Sequence, residues 1–399
     1  MKISKRGTFI SASPIRRLIP FANAAEERGI KVYHLNIGQP DIPTPLPIFN
    51  AIKQFDKKVL PYGPSEGLKE LRKAIADYLK EDYLIEVSPN DVFITTGGSE
   101  AIIFAMEAIA DPEDEIIVFE PFYTNYNGFA SMASVKLVPV TLSVKNGFHL
   151  PPKKEITKVI TKKTKGILIC TPNNPTGTIY SEEEMRTIVD ISLEYDLWVL
   201  SDEVYREFTF DGRKHTSILE FTEISERAVM LDSISKRFSA CGARIGYIVT
   251  RNRDLWNTIL KFGQARLCPP TVEQLGAIAG FKNREKFMPS MIKEYQERRD
   301  IVFDYIQKIE GAFTLKPEGA FYTVVKLPVK NSENFIKWML TDFNVDKKTT
   351  MLSPANGFYA TSGKGEDEVR IAYVLNNEAL EDAMRILQAG LKEYAKIEG

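Results

Sequence analysis

Lys236 stands between two apolar runs, at 228–231 and 245–249, in the middle of the sequence. Each run predicts a buried strand, so the lysine is predicted to lie on a short loop between two strands. Burial and a neighbouring cation favour the neutral amine of a lysine, the form that attacks a carbonyl carbon to make a Schiff base. Lys236 is therefore a candidate nucleophile. A solvated turn at 236–237, which carries a lysine and an arginine, is the alternative explanation.

The residues on either side of this lysine suit a phosphate group. Ser233 and Ser235 supply hydroxyls, and Arg244 supplies a guanidinium after a run of small residues that lets a ligand approach the backbone closely. A second candidate is the Gly-Gly-Ser-Glu turn at 97–100, which separates a predicted strand from a predicted helix at 101–110. Such a turn presents backbone N–H groups and the positive end of the helix dipole to an anion, although most such turns only connect elements.

Two more polar side chains come directly after predicted strands. Asp202 follows the strand at 197–200, and open α/β sheets bind ligands at the carboxyl ends of their strands. A helix cap or a solvated loop carboxylate explains Asp202 equally well. Tyr123 follows the strand at 115–119 and could stack on a flat ligand ring, whereas core packing is the preferred explanation for its neighbour Phe122.

The elements that must position these side chains alternate between strand and helix. A helix is predicted over 14–29, and strands and helices then alternate over 51–282, which favours an α/β fold with a mostly parallel sheet covered by helices on both faces. Beyond this region a smaller α+β arrangement is predicted. Because 399 residues exceed what one core normally serves, two domains are expected: a large domain at 46–289, and a small domain made of 1–45 and 290–399.

Composition excludes several classes of function. The 52 Lys and Arg residues balance 53 Asp and Glu residues, for a net charge of −1, so neither nucleic acid nor a membrane surface is expected as a partner. Three cysteines and three histidines are scattered without a metal-site spacing, so no metal is expected. No apolar run approaches the ~20 residues of a membrane span and no signal sequence is recognised, so a soluble, cytoplasmic protein is expected.

Seven short motifs, taken in order, resemble the fold-type I aminotransferases of class I/II, and in particular the bacterial aspartate and aromatic aminotransferases. Any one motif is weak, but their order and spacing across nearly the whole chain are specific. They are Tyr-Gly-x-x-x-Gly at 62–67, Thr-Gly-Gly-Ser-Glu at 96–100, Asn-Pro-Thr-Gly at 174–177, Asp-Glu-Val-Tyr at 202–205, Ser-x-Ser-Lys at 233–236, Arg-Ile-Gly at 244–246 and Val-Arg-Ile-Ala at 369–372.

The resemblance implies the cofactor pyridoxal 5′-phosphate and a role for each matching residue. Lys236 would bond to the cofactor aldehyde and move the substrate proton, and Asp202 would pair with the ring nitrogen. Tyr205 and Asn174 would hydrogen-bond the ring oxygen, and Tyr123 would stack on the ring. The phosphate would be held by Arg244, Ser233, Ser235, Gly98, Ser99, Glu100 and, from the neighbouring subunit, Tyr62. The substrate would contact Gly38, Asn174 and Arg370, the last through its α-carboxylate.

The function implied is transfer of an amino group from an L-amino acid to 2-oxoglutarate, in a homodimer whose subunits share their active sites. The amino acid would be aspartate, or an aromatic or broader set; a β-eliminating C–S lyase on the same fold is the alternative. The sequence departs from the family where a lysine helps to recognise a distal carboxylate, because Glu107 aligns there. Arg266 is a possible substitute cation, although a surface salt bridge explains it better.

Overall fold

The computed structural model of the chain describes residues 1–10 and 13–398. Its strands are β1 (Lys31–His34), β2 (Val92–Thr95), β3 (Glu115–Glu120), β4 (Lys136–Thr141), β5 (Thr164–Cys170), β6 (Trp198–Asp202), β7 (Ala228–Ser233), β8 (Gly246–Val249), β9 (Tyr322–Lys326), β10 (Lys348–Met351), β11 (Ser353–Pro354) and β12 (Glu368–Ala372). Its α-helices are α1 (Lys5–Phe9), α2 (Ile19–Glu27), α3 (Leu46–Lys53), α4 (Lys69–Tyr83), α5 (Gly97–Ile109), α6 (Asn125–Ala133), α7 (Lys153–Thr157), α8 (Glu182–Tyr195), α9 (Ile234–Arg237), α10 (Arg253–Arg266), α11 (Thr271–Asn283), α12 (Met288–Ile306), α13 (Ser332–Thr341) and α14 (Asn377–Glu398).

A seven-stranded sheet in the order β2-β8-β7-β6-β5-β3-β4 forms the centre of the larger part. Its pairs are parallel except at β8, which runs antiparallel to both β2 and β7. Because β3, β5, β6 and β7 all point the same way, their carboxyl ends meet at one edge. The predicted α/β fold with a mostly parallel sheet is confirmed.

Both faces of this sheet are buried, as the near-continuous apolar strands require. Successive residues of one strand belong to different cores: Ile116 belongs to the core that contains Met106 of α5, whereas Ile117 belongs to the core that contains Ile188 of α8. The alternation follows from the strand period of two, which points neighbouring side chains to opposite faces. Helices α5, α6 and α10 therefore cover one face, and α4, α8 and α11 cover the other.

Two small sheets lie outside the large one. Strands β11, β12 and β9 form an antiparallel sheet, and β1 pairs in parallel with β10 across more than three hundred residues. Helix α14 packs here through Leu380, Met384 and Leu387, which are fully buried and recur at helical spacing. This is the smaller α+β arrangement expected from the sequence. The domain boundaries at residues 45 and 289 stay a prediction.

The local differences from the predictions have simple physical causes. Helix α2 begins at Ile19 rather than at 14, and Pro20 occupies its first turn, where a missing N–H costs nothing. Lys236 lies in the one-turn helix α9 rather than on an irregular loop. Strand β4 was not predicted from the sequence, because it is a partly exposed edge strand with Pro139 in its middle.

Across the described ranges, no helix is both long enough and apolar enough to cross a membrane.

Candidate active site

A cavity of about 450 Å³ opens at the carboxyl ends of the parallel strands, between the large sheet and β9 and β12 of the small one. All but two of the site residues named from the sequence line it. They are Gly38, Gly98, Ser99, Tyr123, Asn174, Asp202, Tyr205, Ser233, Ser235, Lys236, Arg244 and Arg370. The topology explains this convergence, because residues that follow different parallel strands are brought to the same edge.

Lys236 reaches the cavity because α9 follows β7 without an intervening loop. The hydroxyl of Ser233 caps α9 by accepting from the Ser235 backbone N–H at 3.3 Å. The Lys236 ammonium donates to the Gly38 carbonyl at 2.8 Å and lies 3.8 Å from the Cys241 sulfur. Among the described residues no carboxylate forms an ion pair with Lys236, so its amine is held only by neutral groups.

Asp202 is the last residue of β6, and it is a buried carboxylate. One oxygen accepts from the Tyr126 hydroxyl at 2.6 Å and the other from the Val204 backbone N–H at 3.3 Å. Burial raises the pKa of Asp202 to about 6 against the lowering effect of these hydrogen bonds. In the described part of the chain no lysine, arginine or histidine pairs with it, so the site favours a ligand that brings a positive charge.

Arg244 and the start of α5 form the end of the cavity that suits an anion. The Arg244 backbone is left-handed, at φ 53°, and its side chain donates to the Cys241 carbonyl at 3.0 Å. Gly97, at φ 77°, begins α5, and a β-carbon there would overlap the Arg244 guanidinium. This glycine therefore lets the guanidinium approach the first turn of α5, where the N–H groups of Gly98 and Ser99 lie.

Arg370 is a buried guanidinium that the fold leaves partly unsatisfied. It donates to Asn174 Oδ1 at 3.0 Å and to the Asn36 carbonyl at 2.6 Å, while its Nε has no partner in the described ranges. No carboxylate of the described residues pairs with it, and burial lowers its pKa. Its charge lies over the rings of Tyr322 and Phe358, at 4.6 and 4.9 Å. An incoming carboxylate would complete its hydrogen bonding.

Tyr205 connects the ring-binding side of the cavity to the Arg370 side. Its hydroxyl lies 2.9 Å from the Tyr322 hydroxyl and accepts from the Asn174 amide at 3.5 Å. Tyr123 presents its ring to the cavity, and its hydroxyl accepts from Asn125 at 2.8 Å. Burial raises the pKa of Tyr123 to about 12, so its hydroxyl stays protonated at neutral pH.

Glu100 and Tyr62 are the two named residues that do not line the cavity. Glu100 accepts from the Thr96 backbone N–H at 2.8 Å, and so caps its own helix, and it lies 3.3 Å from Arg266 Nε. Tyr62 lies on the loop before α4 and is 78% exposed. Glu107 is exposed on α5 and, like Arg266, does not line the cavity, so neither reaches a ligand bound there in this chain.

Tyr322, Cys241 and Arg16 line the cavity and were not named from the sequence, and neither was Tyr126, whose hydroxyl donates to Asp202. Tyr126 had a usable signal, because it lies only three residues after Tyr123, which was already a candidate. Cys241 also lies close to Lys236 in the sequence, whereas the relevance of Tyr322 and Arg16 depends on contacts between segments far apart in the chain.

These groups fit an aromatic phosphate ligand with a cationic ring nitrogen. Asp202 needs a positive charge, Arg244 and the α5 turn present donors to an anion, and Lys236 offers an amine free of ion pairing. A model of the family aminotransferase class I and II matches residues 30–387, and the chain belongs to that family. The family depends on pyridoxal 5′-phosphate, so the chain is a transferase with that cofactor.

Individual relatives cover the chain almost completely. An aspartate aminotransferase of Bacillus subtilis is 30% identical over 99% of this chain and 100% of its own length. An aromatic-amino-acid aminotransferase of Thermococcus litoralis is 31% identical over 98% of this chain and 99% of its own. The solved structure of an alanine aminotransferase from Pyrococcus furiosus superposes with a TM-score of 0.90 at 32% identity, over 98% of this chain and 100% of that one.

Proposed function

We propose that the protein transfers the amino group of an L-amino acid, aspartate or a broader set that includes aromatic residues, to 2-oxoglutarate. The observation that carries this proposal is one cavity that holds a free lysine amine, a buried unpaired carboxylate and a buried unpaired guanidinium, at Lys236, Asp202 and Arg370. Relatives named for aspartate and for aromatic substrates support the range given.

The positions of Asp202 and Lys236 in the cavity suggest a separate chemical role for each residue. When bound, pyridoxal phosphate supplies an electron sink for the pair left when the substrate Cα loses its proton. Asp202 would keep the ring nitrogen protonated, because its buried charge is stabilised by a cation. Lys236 would anchor the cofactor aldehyde through Nζ and, once the substrate amine replaces it, carry the proton from Cα to C4′.

The other residues would bind and orient. Arg370 would hold the substrate α-carboxylate, assisted by Asn174, which already accepts from it. Tyr205 would donate to the ring oxygen, with Tyr322 as its hydrogen-bonded neighbour. Arg244, Ser233, Ser235, Gly98 and Ser99 would hold the phosphate. Gly38 would contact the substrate, since its carbonyl already accepts from Lys236.

We also propose a homodimer in which Tyr62 reaches the cofactor phosphate of the partner subunit. Tyr62 is 78% exposed, and Val59 and Leu60 beside it are 71% and 60% exposed, so this loop presents an apolar surface to be covered. The large domain at 46–289 and the small domain at 1–45 with 290–399 would meet at the cavity.

A half-reaction screen tests the proposal. The cofactor-loaded protein is mixed with single amino acids, and the coenzyme absorbance band is followed as it converts to the pyridoxamine form. Conversion by at least one amino acid, its reversal by 2-oxoglutarate and the loss of both in Lys236→Ala are expected. Release of pyruvate and ammonia from cystathionine without a keto acid would instead identify a C–S lyase.

A further inference from the structure

The cavity is lined by a cation that the proposed function does not use. Lys236, Arg244 and Arg370 have proposed partners in the aldehyde, the phosphate and the α-carboxylate. Arg16 also lines the cavity, from the segment just before α2. Arg16 is an exposed residue, and its side chain has no hydrogen-bond or ion-pair partner in the described part of the chain.

The segment that carries Arg16 is connected by hydrogen bonds to Arg370, which would hold the substrate α-carboxylate. The Ile15 carbonyl accepts from the Asn36 amide at 3.4 Å, and the Asn36 carbonyl accepts from Arg370 Nη2 at 2.6 Å. One residue, Asn36, thus connects the backbone beside Arg16 to the guanidinium that would hold the α-carboxylate. A substrate anchored on Arg370 therefore lies in the same cavity that Arg16 borders.

The next residue, Arg17, has a structural role in the same segment. Arg17 forms an ion pair with Glu333 of α13 and donates to Asn356 Oδ1 at 3.1 Å. Two consecutive arginines therefore differ in their contacts: Arg17 links the segment to α13, whereas Arg16 lines the cavity with no partner among the described residues.

The charges of the cavity leave Arg16 available to an anion. Two carboxylates line the cavity among the residues that the structure describes. Asp202 is assigned to the ring nitrogen in the proposed function, and Asp232 is paired with Arg237 at 2.7 Å and Tyr247 at 2.6 Å. A substrate with a second carboxylate would bring the counter-charge that Arg16 lacks, with the bidentate geometry that guanidinium favours.

We propose that Arg16 binds the distal carboxylate of dicarboxylic substrates, four- and five-carbon amino acids and their 2-oxo acids, and so sets a preference for them over uncharged side chains. This inference rests on the proposed aminotransferase function. It gives Arg16 the role that the sequence suggested for Arg266, whose guanidinium instead contacts Glu100 and the Ile94 carbonyl away from the cavity.

The test compares Arg16→Gln with Arg17→Gln in the cofactor-loaded protein. Half-reaction kcat/KM is measured for aspartate and glutamate, and for alanine and phenylalanine. In Arg16→Gln the dicarboxylic substrates should lose about ten- to a hundredfold, the size of a lost charge-assisted hydrogen-bonded pair, while the uncharged ones change less than about twofold. Arg16→Lys should retain part of the preference, and Arg17→Gln should keep the wild-type ratio.

Calorimetric binding of succinate, compared with that of propionate, gives a readout that does not depend on turnover. Succinate should lose the same factor in Arg16→Gln, and propionate should not. Equal losses for all substrates, no loss for any, or the same selective loss in Arg17→Gln would overturn the assignment. If no amino acid converts the coenzyme band, the aminotransferase proposal fails, while the succinate measurement still decides whether Arg16 binds a distal carboxylate.

Discussion

Asp202→Asn exchanges a buried charge for a neutral side chain of the same shape. Burial raises the pKa of Asp202 to about 6, from an ordinary value of 3.8. A rise of that size means that ionising Asp202 costs the cofactor-free protein about 3 kcal/mol at neutral pH. Because the pKa is raised in the folded protein, the contribution of Asp202 to the free energy of unfolding is most favourable below its unfolded-state pKa. This contribution is lost as the pH rises through about 6.

The variant should remove this cost without creating a new one. The Asn oxygen can still accept from the Val204 backbone N–H, and the Tyr126 hydroxyl can turn to accept from the new amide. The cofactor-free variant should therefore be more stable than the wild type at pH 8, and its advantage should shrink by about 2 kcal/mol on going to pH 4.5.

Urea unfolding of both cofactor-free proteins between pH 4.5 and pH 8, at one fixed protein concentration, measures this difference. Adding pyridoxal phosphate should stabilise the wild type more than the variant, because the cationic ring nitrogen compensates the Asp202 charge, and turnover of the variant should fall sharply. A stability difference that does not depend on pH would refute the argument that Asp202 is a desolvated, unpaired carboxylate.

Two further substitutions test the substrate side of the cavity. Arg370→Lys loses the forked guanidinium, so KM for amino acids should rise about ten- to a hundredfold in steady-state kinetics. Cofactor affinity, measured by titration, should be unchanged. An unchanged KM would contradict the α-carboxylate role. Tyr322→Phe removes the hydroxyl 2.9 Å from the Tyr205 hydroxyl, so kcat should fall about two- to tenfold. The pH dependence of the coenzyme absorbance should also shift. If Tyr322 is only structural, that pH dependence will be unchanged.

The sequence was sufficient for the α/β class of the large sheet and for twelve of the residues that line the cavity, but not for the edge strand β4. Strand and helix periods alternate clearly over 51–282, and a residue that follows a parallel strand must lie at the carboxyl edge, so Tyr123 and Asp202 could be placed at one edge without a structure. The Ser-x-x-Glu pattern at Ser181 and Glu184 is typical of a capping box, and both hydrogen bonds of that box are present at the start of α8.

What the sequence lacked was information on long-range contacts. The parallel pair β1 and β10 joins segments more than three hundred residues apart, and no local pattern specifies it. Arg16 and Arg17 are neighbouring residues of the same type, and only the long-range contacts of Arg17 with Glu333 and Asn356 distinguish them. Glu100 was named with its motif, yet its side chain caps the helix that the motif begins.

The most direct test of the central claim is chemical trapping at Lys236. The purified protein is loaded with pyridoxal phosphate, reduced with borohydride and digested, and the peptides are analysed by mass spectrometry. A pyridoxyl group on Lys236, absent in Lys236→Ala, is the expected result. An unmodified Lys236, or the group on another lysine, would contradict the assignment of this residue as the cofactor anchor.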